Sequence, residues 1–383
     1  MLDKSPHRLT RRRVMKAAMA SGFSVLTASR LTVDDVKAAD SDEVVIYYDT
    51  EGRDKTHVPK GWYDYIQRAR DVNERMKKRF TDREGISDIG MRVGDTSEDN
   101  PYVFIGVDKN SSKKDERRGE VPEERDGIRI EVEERDPSAR KAEAQCADEK
   151  YDQDDQIPGG LGLEEAVSGN DGSFTSRLFP DVNYYDAPPG WATAAHVLER
   201  CDNAYTIKHK PQSSPESGRI IGQAWFIDQS RDFVAIRQSS WVEPRSDFAK
   251  PSAPNNSLLD YHVDATLSQD GLETLMSRDT EFIHHGARTC RTRAQISSSG
   301  ERKFTPGTQF CNAYLKDQVE FGSGADDETN TGDSGGGVIS EPIDDQGDKQ
   351  YFSHLHSGSG EFNAFGVGGW AIRKEHNMWW GDI

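Results

Sequence analysis

A chain of 383 residues has room for two or three ordinary domains. It is 34% hydrophobic and 30% charged, enough apolar residue for a core but on the low side. Its net charge of −18 argues against a nucleic-acid partner, because phosphate contacts need Lys and Arg. An acid excess keeps a surface hydrated and fits a halophilic, salt-loving source.

The first residues read MLDKSPHRLTRRRVMKAAMASGFSVLTASRL. His7, Arg8 and Arg11 to Arg13 form a positive region, and Val14 to Leu26 is a short stretch of small and apolar residues. It is too short and interrupted to insert stably in a bilayer. No acid interrupts Ser5 to Thr32, and TRRRVMK resembles a twin-arginine export signal. Residues 1–39 are therefore expected to be a leader cut after Ala28, Ala38 or Ala39, which places the protein outside the cell. The competing reading is a basic amphipathic helix that stays in the cytosol.

Residues 41–136 read as a small α+β unit. VVIYYD opens it as a strand. From Trp62, apolar residues recur at Tyr65, Ile66, Ala69, Val72, Met76 and Phe80, one face of a helix. Three strands follow in IGMRVG, YVFIGVD and GIRIEVEE, with KNSSKKDERRGE as a charged loop between the last two. The unit carries no catalytic spacing. It is expected to be a proregion-like segment holding a zymogen or an accessory domain, with a plain structural domain equally open. Residues 137–156 are polar and suit a linker.

From residue 157 onward, short strand-like runs alternate with Gly, Ser, Asn, Asp and Pro. RIIGQAWFI, DFVAI, YHVDATL and AFGVGGWAI are examples, and they predict an all-β domain over 157–383. Of the four cysteines, none is spaced as in a zinc site. Cys146, Cys201, Cys290 and Cys311 allow three pairings in an exported protein, and Cys290 with Cys311 closes the shortest loop. Four free thiols are the alternative.

TNTGDSGGGVIS surrounds Ser334 with glycines. A hydroxyl is a poor nucleophile at neutral pH unless an imidazole takes its proton and N–H donors meet the oxyanion. Glycines let backbone N–H groups converge and let a substrate carbonyl approach. The base candidate is His196 in GWATAAHVLERC, with small neighbours that leave room beside its ring. The acid candidate is Asp232 in SRDFVAI, and Asp228 in WFIDQS is its rival. Each of these residues alone is more ordinary: a packed histidine, a capping carboxylate, a turn serine.

TAAHV, DFVAI and TGDSGGGV, in that order, resemble the chymotrypsin-like (trypsin-fold) serine proteases of the secreted bacterial and archaeal type. The resemblance covers residues 157–383 and implies an all-β domain of two six-stranded barrels with the site between them. It implies that His196 is general base then acid, that Asp232 orients it, and that Ser334 is the nucleophile. The N–H groups of Gly332 and Ser334 would form the oxyanion hole. Cys201 departs from the vertebrate pattern, which has a cysteine next to the histidine. SHLHSGSGEFNAFGVGGWAI looks bacterial. Its His356, Ser357, Gly358 and Ser359 resemble the HSGS of bacterial glutamyl endopeptidases, which implies substrate binding with Glu or Asp before the scissile bond. The alternative is that His356 only packs beneath the pocket.

The expected partner is a polypeptide substrate of a monomeric enzyme, with no nucleic acid, no cofactor and no metal. Ile157 could pair with Asp333 as a freed N-terminus, although Pro158 departs from that pattern. GDSGG also fits the nucleophile elbow of α/β-hydrolases. That fold needs a helix after the serine, where helix signal is poor, so a serine esterase is the weaker alternative. A secreted binding protein on a degenerate protease fold is the other, but such proteins usually lose a member of the triad. His284–His285 as a metal pair is discounted, because adjacent strand residues point apart.

Overall fold

The computed structural model describes residues 42–92, 100–135, 156–166, 170–198, 205–209, 219–249, 259–287, 289–303, 311–312, 314–322, 333–343, 346–359 and 364–382. The export signal, most of the linker, Gly332, Cys146 and Cys201 lie outside them, so the expectations placed on those residues have no structural account here. Cys311 is disulfide-bonded.

Six strands of the C-terminal half close into a ring. In order around it they are Glu281–Gly286, Gly337–Ser340, Tyr351–Ser359, Ala364–Gly368, Tyr314–Phe321 and Cys290–Lys303. The last of these pairs back onto the first, with Glu281 opposite Gln295 and Gly286 opposite Cys290. Closure removes both sheet edges and leaves an interior for alternate side chains. Phe282, Val319, Phe321, Val338, Tyr351 and Ala364 fill part of it.

The preceding half is also β. An eight-stranded sheet holds, side by side, Met378–Trp380, Leu178–Pro180, Gly190–Thr193 and Phe233–Gln238, then Ile220–Asp228, Thr206–His209, Gly162–Glu165 and Asp171–Ser173. A three-stranded sheet of Leu259–His262, Glu243–Ala249 and Gln156–Gly159 accompanies it. One core joins the halves: Trp191, Phe233 and Ile236 share it with Ile339, Phe352 and Leu355. Trp380 is the hinge pin of that contact. Its ring stacks on Phe352 with centroids 3.9 Å apart, and its Nε1 donates to Thr175 Oγ1 at 2.9 Å. The architecture is the expected all-β one preceded by an α+β region. Of the two six-stranded barrels expected, however, only the C-terminal one closes as a six-stranded ring; the other unit is an eight-stranded sheet beside a three-stranded one.

In that α+β region, the 21-residue helix Lys60–Phe80 buries Ile66, Ala69, Val72, Met76 and Phe80. These three- and four-residue steps make one stripe. The stripe covers Ile89, Met91, Val103, Ile105 and Ile130 of the strands Ile86–Arg92, Tyr102–Asp108 and Ile128–Arg135. Lys77, Lys78 and Arg79 sit in the last turn, where cations suit the helix dipole. The charged loop expected at 109–120 is in part a helix, Lys114–Glu120. Its Lys, Asp, Glu and Arg residues are good or tolerable helix formers, but they leave no apolar stripe to read. AFGVGGWAI is likewise only half strand. A helix begins at Gly369 and runs to His376, ending on Asn377 in the left-handed conformation (φ 50°).

The sheet of the α+β region is not a separate island. Ile86–Arg92 pairs with the long barrel strand, placing Arg92 opposite Ser298 and Asp88 opposite Arg302. Cys290–Lys303 therefore belongs both to the closed ring and to the N-terminal sheet.

Candidate active site

Strand register brings the base and acid candidates together. Gly190–Thr193 runs antiparallel to Phe233–Gln238, with Trp191 opposite Ile236 and Thr193 opposite Val234. Continuing that register two residues sets Ala195 opposite Asp232, and Ala195 N–H donates to the Asp232 carbonyl at 3.1 Å. His196 then sits in a single 3-10 turn, Ala195–Val197, among the buried Ala194, Ala195 and Val197.

Asp232 is fully buried and has φ 56°, a left-handed conformation that Asp tolerates better than most residues. Its carboxylate holds the turn from two sides. Oδ1 accepts the His196 backbone N–H at 2.9 Å, and Oδ2 lies 2.7 Å from His196 Nδ1. That contact leaves Nε2 facing Ser334 Oγ, 2.9 Å away. Both separations are within hydrogen-bond reach of a base and its orienting acid.

Asp228, the rival acid, has other partners. It accepts from Ser230 at 2.7 Å and Arg231 at 2.9 Å, and lies 2.8 Å from His376 Nε2. Burial works to raise its pKa, but the hydrogen bonds from His376, Ser230 and Arg231 outweigh it and hold the carboxyl well below the usual range. It ties the C-terminal helix to the Ile220–Asp228 strand.

Ser334 lies in the 333–336 turn that precedes Gly337–Ser340 and is closed by Gly336 N–H donating to the Asp333 carbonyl at 2.8 Å. The turn is locked by neighbours on both sides: Ser173 N–H donates to the Ser334 carbonyl at 2.8 Å and Gly335 N–H to the His356 carbonyl at 2.7 Å. Gly335 has φ 93°, and a Cβ there would lie 2.1 Å from Thr193 Oγ1 and 2.2 Å from the Ser173 carbonyl. Glycine is required by conformation and by space. Asp333, fully buried, accepts from Thr289 Oγ1 at 2.8 Å and Thr289 N–H at 3.1 Å. A freed Ile157 terminus is thus not needed to hold Asp333. Ile157 lies inside the strand Gln156–Gly159, with its carbonyl accepting from Trp191 Nε1 at 3.3 Å.

His356, Ser357, Gly358 and Ser359 form the end of the strand Tyr351–Ser359. His356 N–H donates to the Gly336 carbonyl at 2.8 Å, and Ser334 Oγ also lies 3.2 Å from the Ser357 carbonyl. The turn that carries Ser334 and the HSGS segment are thus stitched together. Neither ring nitrogen of His356 has a hydrogen-bond partner among the described residues, nor does Ser357 Oγ, and both side chains are buried.

His284 and His354 also belong to this region, and motif reading alone did not join them to His356. His284 is opposite Val338 and Val338 is opposite His354 across adjacent strands, while His354 and His356 are two apart on one strand. Period two puts all three histidines on one face. The rings of His284 and His356 are 4.7 Å apart. Burial first, then the neighbouring imidazoles, pushes the His356 pKa well below its ordinary value. Burial likewise takes His354 down to about 3. Among the described residues no group of His, Cys, Asp and Glu could hold a metal ion, and no described helix is long and apolar enough to cross a membrane.

No protein-family model matches the chain, and no curated protein matches it by sequence. Solved structures resemble it weakly, and they are serine proteases. One is a glutamic acid-specific serine protease described as using a histidine triad in substrate binding. It shares 13% identity over 58% of this chain and all of its own, with a TM-score of 0.39. Cellulomonas bogoriensis chymotrypsin shares 14% over 59% of this chain and 98% of its own, at 0.38. Thermobifida fusca protease A shares 14% over 60% of this chain and all of its own, at 0.39.

Proposed function

We propose that the protein is a secreted serine endopeptidase that cleaves peptide bonds through an acyl-enzyme. The observation that carries this reading is the Asp232–His196–Ser334 chain of contacts at 2.7 and 2.9 Å. Asp232 fixes the tautomer with the proton on Nδ1, so Nε2 has its lone pair toward Ser334 Oγ. Nε2 takes the hydroxyl proton as Oγ attacks the substrate carbonyl carbon. Asp232 stays ionised and stabilises the imidazolium. The same proton passes from Nε2 to the departing amine as the C–N bond breaks. Water then repeats the sequence on the ester and frees the acid and Ser334. The oxyanion is assigned to the N–H groups of Gly332 and Ser334. The acid excess suits a salty exterior, reached by export once the leader within residues 1–39 is removed.

The residue before the scissile bond is assigned as Glu or Asp. Three unpartnered polar atoms support this: both ring nitrogens of His356, and Ser357 Oγ. A buried polar atom without a partner costs about 1–3 kcal/mol. A substrate carboxylate accepting from Ser357 Oγ and from the one His356 ring nitrogen that carries a proton removes part of that cost, whereas an apolar side chain removes none. The test is a set of reporter peptides differing only at this position. Glu is expected to exceed Phe and Arg by about 100-fold in kcat/KM, a modest value for a site built to hydrogen-bond its substrate. His356→Leu is expected to erase the difference while Phe cleavage persists. Phe cleaved as well as Glu by the wild type sinks the assignment.

A further inference from the structure

The N-terminal layer, residues 42–135, grips the barrel in three ways. The first is main chain: Asp88–Arg92 against Ser298–Arg302, a continuous antiparallel register. The second is a buried ionic cluster. Glu320, on a barrel strand and 5% exposed, lies 3.3 Å from Arg92 and 3.4 Å from Arg135 of the layer. Barrel residues complete it, with Ser298 Oγ at 2.7 Å and Arg302 at 3.6 Å from Glu320. Arg302 in turn reaches Asp88 of the layer at 3.4 Å. A second buried barrel-side carboxylate, Glu273, is gripped by Arg70 of the long helix at 2.7 and 3.0 Å. The third is Tyr48. It is fully buried in the barrel-side core with Leu267, Leu272 and Tyr351, and Asp54 beside it pairs with Lys349 and Tyr351.

The attachment is centred on the strands Cys290–Lys303 and Tyr314–Phe321, neither of which pairs with Gly337–Ser340. On the six-strand ring, Tyr314–Phe321, which carries Glu320, stands across from Gly337–Ser340, which follows Ser334. Further contacts fall on Glu273, Glu301, Tyr314, Lys349, Arg373 and Asp382. The site is built from Ser173, Thr193, His196, Asp232 and the 333–336 turn, and Tyr314–Phe321 meets its edge through Asp317, 2.8 Å from Arg231. A segment made to be discarded would take Arg70 from Glu273 and both Arg92 and Arg135 from Glu320, which would keep only Arg302, and removing one member of a buried ion pair is strongly destabilising.

We propose that residues 42–135 are a permanent layer of the working enzyme, which stays docked when the connecting stretch 136–155 is cut and leaves the catalytic groove open. The docking half stands on the interface alone. The open-groove half rests on the peptidase reading.

A recognition sequence for a highly specific protease, placed within 136–155 of the full chain, allows a clean cut. The two fragments are expected to co-elute at the size of the intact chain, with kcat/KM on a glutamyl reporter within about 2-fold of the uncut protein. Amides of Ser298–Arg302 are expected to exchange as slowly after cutting as before. Separation of the fragments, or loss of that protection, overturns the docking. A rise in activity of 10-fold or more on cutting, with the fragments still together, overturns only the open groove. Arg92→Ala combined with Arg135→Ala is expected to release the layer once cut, and fragments that still co-elute would remove the ionic cluster from the account.

Discussion

Ser334→Ala is expected to lower kcat/KM for a peptide substrate by about 10⁶-fold, the scale seen when a triad serine is removed. The loss is specific to chemistry. The substitution deletes one oxygen that contacts His196 Nε2 and the Ser357 carbonyl. The turn itself is held by main-chain bonds through Gly335, Gly336 and Ser173, which alanine leaves in place. The melting temperature should therefore stay close to that of the wild type, with a stability change of about 1 kcal/mol or less. A residual rate within 100-fold of the wild type would mean that another group attacks the carbonyl.

Asp232→Asn is expected to cost about 10⁴-fold in kcat with little change in fold, because an amide presents the wrong partner to His196 Nδ1. Asn also accepts the left-handed conformation at φ 56°. The control is Asp228→Asn. Asp228 binds Ser230, Arg231 and His376 and none of the site. Its loss is expected to cost about 1–3 kcal/mol of stability, as for an interrupted polar network, and to leave kcat within a few-fold. Thermal unfolding and kcat measured on both variants separate the two roles. The opposite pattern, with kcat collapsing in Asp228→Asn, would exchange the two aspartates.

What was legible in the chain follows a physical division. The flanks of His196, Asp232 and Ser334 could be read because each sits in a local pattern: small residues before a turn, an acid at a strand mouth, glycines around a serine. The helix Lys60–Phe80 was legible because its apolar stripe repeats. The Lys114–Glu120 helix was not, since its charged residues offer no stripe. Gly369–His376 was hidden because AFGVGGWAI reads as strand up to the residue where it turns. The contact of Ile86–Arg92 with Ser298–Arg302 joins segments about 200 residues apart, and nothing local in either names the other. The His284–His354–His356 cluster had the same obstacle. Each histidine was visible, but the register through Val338 that aligns them exists only once the barrel closes.

If His196 and Asp232 hold Ser334 ready to attack, its hydroxyl reacts before any substrate binds. Treating the intact protein, in high salt, with a fluorophosphonate and mapping the adduct by mass spectrometry tests it most directly. A single phosphonyl adduct on Ser334, absent from Ser334→Ala, is expected. An unmodified Ser334, or an adduct on another serine, would contradict it.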